Sequence, residues 1–200
     1  MPQHLIRPRH DSRSAQPGDF WKLLKPEHAR AEAFCRKLAA NREDADDLYQ
    51  DSLLTAIRNF DRLKDPGSFR TWLYRIVINQ CRNHYRRPWR RRRVQMTPQL
   101  EIVNSGSDPA AVHAARRWLN RGMAILSVEQ RALVCLHELE GWTIAELARL
   151  FRRPQGTIKA RLSRSRKKMR REIERYLNKQ EEPTTNGAAH VISQSQPSSD

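Results

Sequence analysis

The chain has 200 residues, and its 38 lysines and arginines against 22 aspartates and glutamates give a formal charge of +16. That length holds one or two small domains, and a charge so far above what solubility needs points to a polyanionic partner, nucleic acid first. No apolar run approaches the roughly 20 residues that cross a bilayer, and no apolar export segment follows the first charges, so the expectation is a cytoplasmic protein.

Residues 1–19 hold three prolines, scattered charges and few apolar side chains, which predicts a disordered arm. Phe20, Leu23, Leu24, Phe34 and Leu38 then recur at helical spacing around Pro26, predicting a short helical piece before a longer helix that ends near Ala40. Asn41 is placed to cap the next helix, Asn41 to Phe60. Glu43, Asp44, Asp46 and Asp47 crowd its first turns, where the macrodipole favours negative charge. Its expected apolar face is Ala45, Leu48, Ser52 and Ala56, with Leu53, Ile57 and Phe60 alongside. Gln50 and Asp51 fall on the outer side, and Asp51 lies too far from the helix start for the dipole to explain it.

Asp65-Pro66-Gly67 signals a turn, and Ser68 is placed to cap the helix FRTWLYRIVINQCRNHYRR. That helix carries an expected core stripe of Trp72, Ile76 and Cys81 with Phe69, Leu73 and Val77. Its second face holds Arg70, Arg75, Asn79, Arg82, Asn83, Arg86 and Arg87. Cations, amides and aromatics interleaved on one helix suit unstacked single strands. Residues 89–107 include four arginines and no periodicity, which reads as a basic linker between helical domains spanning 20–88 and 108–178.

Asp108-Pro109 opens the second domain with a cap and a first-turn proline, and the helix should run to about Leu126. Ser127 with Gln130 forms a capping box for a helix through Leu133, Leu136 and Leu139 that stops at Gly141. Thr143 with Glu146 forms another, followed by Ile144, Leu147, Ala148 and Phe151 at helical spacing. Pro154 then suits the first position of one more helix. In that last helix Ile158, Leu162, Met169 and Ile173 share one arc. The opposite arc carries Gly156, Ala160, Ser163, Arg164 and Lys167, flanked by Lys159 and Arg161. Two short helices about a turn, the second small and basic on one face, form a DNA-binding helix-turn-helix pattern. Residues 179–200 are polar and predicted to be a disordered tail. The fold class is all-α, with no alternating strand pattern anywhere.

Cys35, Cys81 and Cys135 are widely spaced with no paired C-x-x-C, so they read as small core residues. Cys135 and His137, two apart on a helix, diverge. Neither a metal nor any other cofactor is expected.

The segments DADDLYQDSLLTAIRNF, GSFRTWLYRIVINQCRNHYRR and LSVEQRALVCLHELEGWTIAELARLFRRPQGTIKARLSRSRKKMRR, in this order, resemble a bacterial RNA polymerase sigma factor of the extracytoplasmic-function group over about residues 20–178. The resemblance implies two small helical domains and three kinds of partner: core RNA polymerase, promoter DNA and an anti-sigma factor. It implies docking of Asp47, Gln50 and Asp51 on the clamp helices of the largest catalytic polymerase subunit. The loop from Asp61 to Ser68 and the helix after it would capture the opened minus-10 strand through Trp72, Asn79 and Asn83, with Arg82 and Arg86 beside them. Gly156, Thr157, Lys159, Ala160, Arg161, Ser163, Arg164 and Lys167 would read the minus-35 duplex.

Two positions depart from the pattern. Arg152 and Arg153 stand where the turn usually has glycine and then an apolar residue, so a left-handed residue there costs about 1 kcal/mol. Leu53-Leu54 replaces a common aromatic. The alternative reading is a stand-alone helix-turn-helix regulator, against which the basic aromatic helix of the first domain argues. A recombinase or nuclease would need a metal-binding carboxylate cluster or an activated nucleophile. Most of Asp44, Asp46, Asp47 and Asp51 would instead project from a helix surface with no histidine or glycine-rich loop nearby, so no enzymatic activity is expected.

Overall fold

The structure is a computed structural model that describes residues 17–86 and 108–181, and within them it contains helices and no strand. The first stretch forms α1 (Pro17–Leu24), α2 (His28–Leu38), α3 (Arg42–Arg58) and α4 (Phe69–Arg86). The second forms α5 (Pro109–Ala124), α6 (Val128–Val134), α7 (Ile144–Phe151) and α8 (Gln155–Glu181). Short 3-10 turns at Phe60–Arg62 and Pro66–Ser68 join α3 to α4, and a π-helical turn, Cys135–Leu139, prolongs α6. Helix α1 thus begins inside the expected arm, and α8 runs beyond residue 178. The rest of the expected arm, linker and tail lies outside the described residues.

Local sequence explains most helix starts. Asn41 accepts the Asp44 amide at 2.7 Å, Asp108 accepts the Ala110 amide at 3.1 Å, and both expected capping boxes are closed in each direction. Gly141, at φ +69°, ends the α6 segment as expected for a residue that must adopt a left-handed conformation. Ser68 does not cap α4. Its hydroxyl donates back to the Asp65 carbonyl, while the Asp65 side chain accepts the Gly67 amide, because Pro66 sets up its own 3-10 turn ahead of the helix. Pro154 stands one residue before α8 rather than inside it, and its carbonyl accepts the Ile158 amide.

The first domain buries Phe20, Phe34, Leu38, Leu48, Phe60, Leu73 and Val77, and the second buries Met123, Leu133, Leu136, Leu147, Leu150, Ile158 and Leu162. Each such side chain contributes about 1.5–3 kcal/mol by leaving water. All three cysteines are fully buried, in agreement with a packing role. These apolar sets meet in one continuous core, because α4 packs against α3 on one side and against α6 and α7 on another.

That second contact revises the expected stripe of α4. Tyr74 and Ile78 are buried with Phe69, Leu73, Val77 and Cys81, whereas Trp72 and Ile76 are only half-buried. Ile57, expected on the apolar side of α3, is 45% exposed.

Candidate nucleic-acid interface

Helix α3 presents Asp47, Gln50 and Asp51 on an exposed outer face, joined by Leu54, which is half exposed. Asp44 lies apart from that face. It is half-buried, its amide is capped by Asn41, and its carboxylate is 3.2 Å from His84 Nε2 of α4. Asp44 thus serves the helix start and its packing against α4.

On α4, Trp72 is half-buried in an aromatic group with Phe69 and Phe60, at ring separations of 5.8 and 6.5 Å, beside the turns that span 60–68. Asn79, Arg82, Asn83 and Arg86 are exposed along one side. Two more basic residues of the expected second face, Arg70 and Arg75, turn toward other partners, and Arg87 lies outside the described residues. Arg75 donates from Nε to the Leu150 carbonyl at 3.0 Å and from Nη2 to the Arg149 carbonyl at 2.9 Å, closing the C-terminus of α7. The Arg70 guanidinium lies 4.5 Å from the centre of the Trp142 ring. Those two arginines therefore face the second domain, a result of the α4 contact that periodicity alone does not reveal.

In the second domain Gly156, Lys159, Ala160, Ser163, Arg164 and Lys167 form an exposed strip along α8, with Thr157 and Arg161 half-exposed at its margin. Ile158 and Leu162 anchor the opposite side against α6 and α7. A Cβ at Gly156 would meet no atom within 4 Å, so packing within the chain does not require glycine there. Its smallness instead suits close approach of the helix start to a groove. The turn before α8 has the expected strain: Arg152 is left-handed at φ 52° and ψ 50°, and the Arg153 amide returns to the Ala148 carbonyl at 3.0 Å.

Three residues that the sequence reading passed over hold the domains together. Arg131 is fully buried and bonds the carbonyls of Leu38 (2.8 Å), Met123 (3.3 Å) and Leu126 (3.4 Å), a cation at the C-termini of α2 and α5. Burial lowers its pKa from the ordinary arginine value. Trp142 packs at 5.1 Å and a tilt of 49° against Tyr74, whose phenol pKa burial raises further beyond its ordinary value. Glu129 binds Arg82 of α4 and Arg161 of α8 at once. Cys135 and His137 form no joint site: the thiol is buried, with its pKa raised to about 12 by burial, and His137 Nδ1 lies 2.8 Å from the Trp142 carbonyl.

An exposed acidic helix, a basic amide-bearing helix beside an aromatic group, and a helix-turn-helix on a separate domain define the class of promoter-binding transcription factors. The Sigma-70 region 2 family model matches residues 23–91 and the Sigma-70, region 4 model matches residues 115–169. The ECF RNA polymerase sigma factor SigM of Mycobacterium tuberculosis is 33% identical over 159 residues, 80% of this chain and 79% of that protein. EcfG of Rhodopseudomonas palustris is 30% identical over 138 residues, 68% of this chain and 75% of its own length. Among solved structures, the sigma factor RpoE of Bartonella quintana, crystallised with the anti-sigma factor NepR, aligns with a TM-score of 0.58 at 26% identity, covering 78% of this chain and 97% of that one. The chain belongs to the ECF group of RNA polymerase sigma factors. It binds core RNA polymerase, recognises promoter DNA and promotes strand opening for transcription initiation.

Proposed function

We propose a division of labour in which residues 20–88 dock on the polymerase and hold the opened minus-10 strand, while residues 108–178 read the minus-35 duplex. The observation that carries it is the presence of three exposed strips of different chemistry: the acidic strip Asp47, Gln50 and Asp51 on α3, the amide and guanidinium strip Asn79, Arg82, Asn83 and Arg86 on α4, and the small basic strip of α8. Carboxylates repel DNA and suit a basic protein surface, the clamp helices of the largest catalytic subunit. Amides beside the Trp72 group suit a base turned out of its stack, which needs hydrogen bonds and an aromatic wall. The α8 strip suits a major groove, with Gly156 and Ala160 allowing approach and Lys159, Arg161, Arg164 and Lys167 meeting phosphates or guanine edges. The chain performs no bond chemistry of its own and works in the cytoplasm, where the polymerase is. An anti-sigma factor is a fitting partner, as in the Bartonella complex. Transcription by purified core polymerase from a promoter-bearing template, with and without the chain, tests the reading. Initiation should require the chain, and a core enzyme that starts equally well without it would remove the basis of the proposal.

A further inference from the structure

Helix α1 is anchored on one side. Phe20 and Leu24 are buried, while Trp21 is 56% exposed, more than any other large apolar side chain among the described residues. A solitary surface ring is ordinary in a folded protein, but this one ends a series. The Trp21 ring lies 5.3 Å from Phe20, Phe20 lies 5.3 Å from Phe60 and 5.8 Å from Phe69, and Phe69 lies 5.8 Å from Trp72. Phe20 thus seats α1 on the turns that span 60–68, and Trp21 and Trp72 stand at two ends of one aromatic group. Lys22 and Lys25 are exposed on α1, and Arg62 and Lys64 are exposed on the turns. Lys25 follows Trp21 by one helical turn, its amide donating to the Trp21 carbonyl at 3.0 Å. The acids interspersed with these cations are Asp19, which pairs with Lys22 at 3.3 Å, Asp65, which accepts the Gly67 amide, and Asp61.

Resting on the minus-10 role proposed for the first domain, we propose that Trp21 is a second stacking site for the opened promoter strand. It takes the face of one unpaired base, distinct from the base walled by Trp72, and the cations around it meet the flanking phosphates. Every base has a π-face, so this contact adds hold on the strand without demanding a particular base. Charge favours this occupant over the polymerase: the surface proposed to meet the acidic strip of α3 is basic, and the same sign beside Trp21 would repel it. The rings also limit where the base lies. Trp21 and Trp72 stand no farther apart than about 17 Å, the span of the three ring separations, or about five stacked nucleotides at about 3.4 Å each.

The test uses core polymerase reconstituted with the full chain, on the promoter-bearing template with its minus-10 region unpaired. Trp21→Ala should shorten the lifetime of the complex by about tenfold, and Trp21→Phe, which keeps a ring, should stay near the parent. Single abasic sites placed along the unpaired strand locate the partner. One of them, within five nucleotides of the site coupled to Trp72→Ala, should weaken the parent complex yet leave the Trp21→Ala complex unchanged. A Trp21→Ala lifetime equal to the parent's, or abasic effects that add to the substitution at every position, overturns the proposal. A matching loss of core capture in a pull-down also overturns it, because Trp21 would then belong to the polymerase surface. Asn79→Ala/Asn83→Ala separates the two readings. If that variant and every abasic site leave the lifetime unchanged, the minus-10 assignment falls and takes this site with it; if they shorten it while Trp21→Ala does not, this site alone falls.

Discussion

Arg152→Gly is expected to stabilise the helix-turn-helix while weakening its hold on DNA. The arginine is exposed and sits at φ 52°, ψ 50°, a conformation that costs an L-residue about 1–2 kcal/mol and glycine almost nothing. Against that gain stands the greater freedom of glycine in the unfolded chain, about 0.5–1 kcal/mol. Arg152 also repels Arg75, so its removal relieves a second unfavourable term. The net expectation is a gain of about 0.5–1 kcal/mol. Arg153→Gly supplies the control. It loses the same charge one residue later, where φ is not positive, so only the entropy cost remains and stability should fall. Urea denaturation followed by circular dichroism measures both, and duplex binding across a salt series should show the slope of Arg152→Gly flatter by about one if the side chain meets a phosphate. Loss of stability in Arg152→Gly, or an equal gain in Arg153→Gly, would refute the strain argument.

Asp51→Arg should weaken capture by core polymerase without changing helicity, because its side chain is exposed on α3; a pull-down paired with circular dichroism decides it. Asn79→Ala/Asn83→Ala should impair initiation on a duplex promoter and recover largely on a template carrying a pre-melted bubble, whereas Lys159→Ala should not recover. Equal defects of the asparagine variant on both templates would leave it a role in strand binding or packing alone. Thr143→Ala removes an N-cap and should cost about 1 kcal/mol. The Thr143 amide and hydroxyl also hold the Glu146 carboxyl below its ordinary pKa, so their contribution is present above the usual glutamate range and is lost as pH falls through the lower folded-state value. The variant should therefore show a shallower acid limb in stability against pH, and an unchanged limb would remove Glu146 from the account.

What the sequence disclosed follows the range of the interactions. Caps at Asn41, Asp108, Ser127 and Thr143 join residues two or three apart, so their pattern could be read directly, as could the strain at Arg152. The α4 stripe failed because Tyr74 packs on both Phe34 of α2 and the distant Trp142, and a single period cannot describe a helix buried on two sides. Arg131 did leave a trace: with Val128, Val134 and Cys135 it occupies one arc of α6, and a cation on an apolar arc calls for acceptors. One of them, Leu38, is 93 residues distant, beyond any local signal. The π-helical turn at Cys135–Leu139, which carries the chain to Trp142, has no cue in its residue types.

The acidic strip of α3 has a consequence for how the molecule approaches its partners. On a chain of net charge +16 it is a local reversal of sign, exposed while the second domain packs against α4 and the end of α2. In the field of a duplex such a body experiences a torque as well as an attraction: the α8 strip is drawn inward and the α3 strip turned outward before any contact forms. The face turned away from the nucleic acid is the one proposed for the polymerase. Orientation is thus settled at distances of a Debye length, about 8 Å at physiological salt, and added salt should erode this alignment along with the attraction.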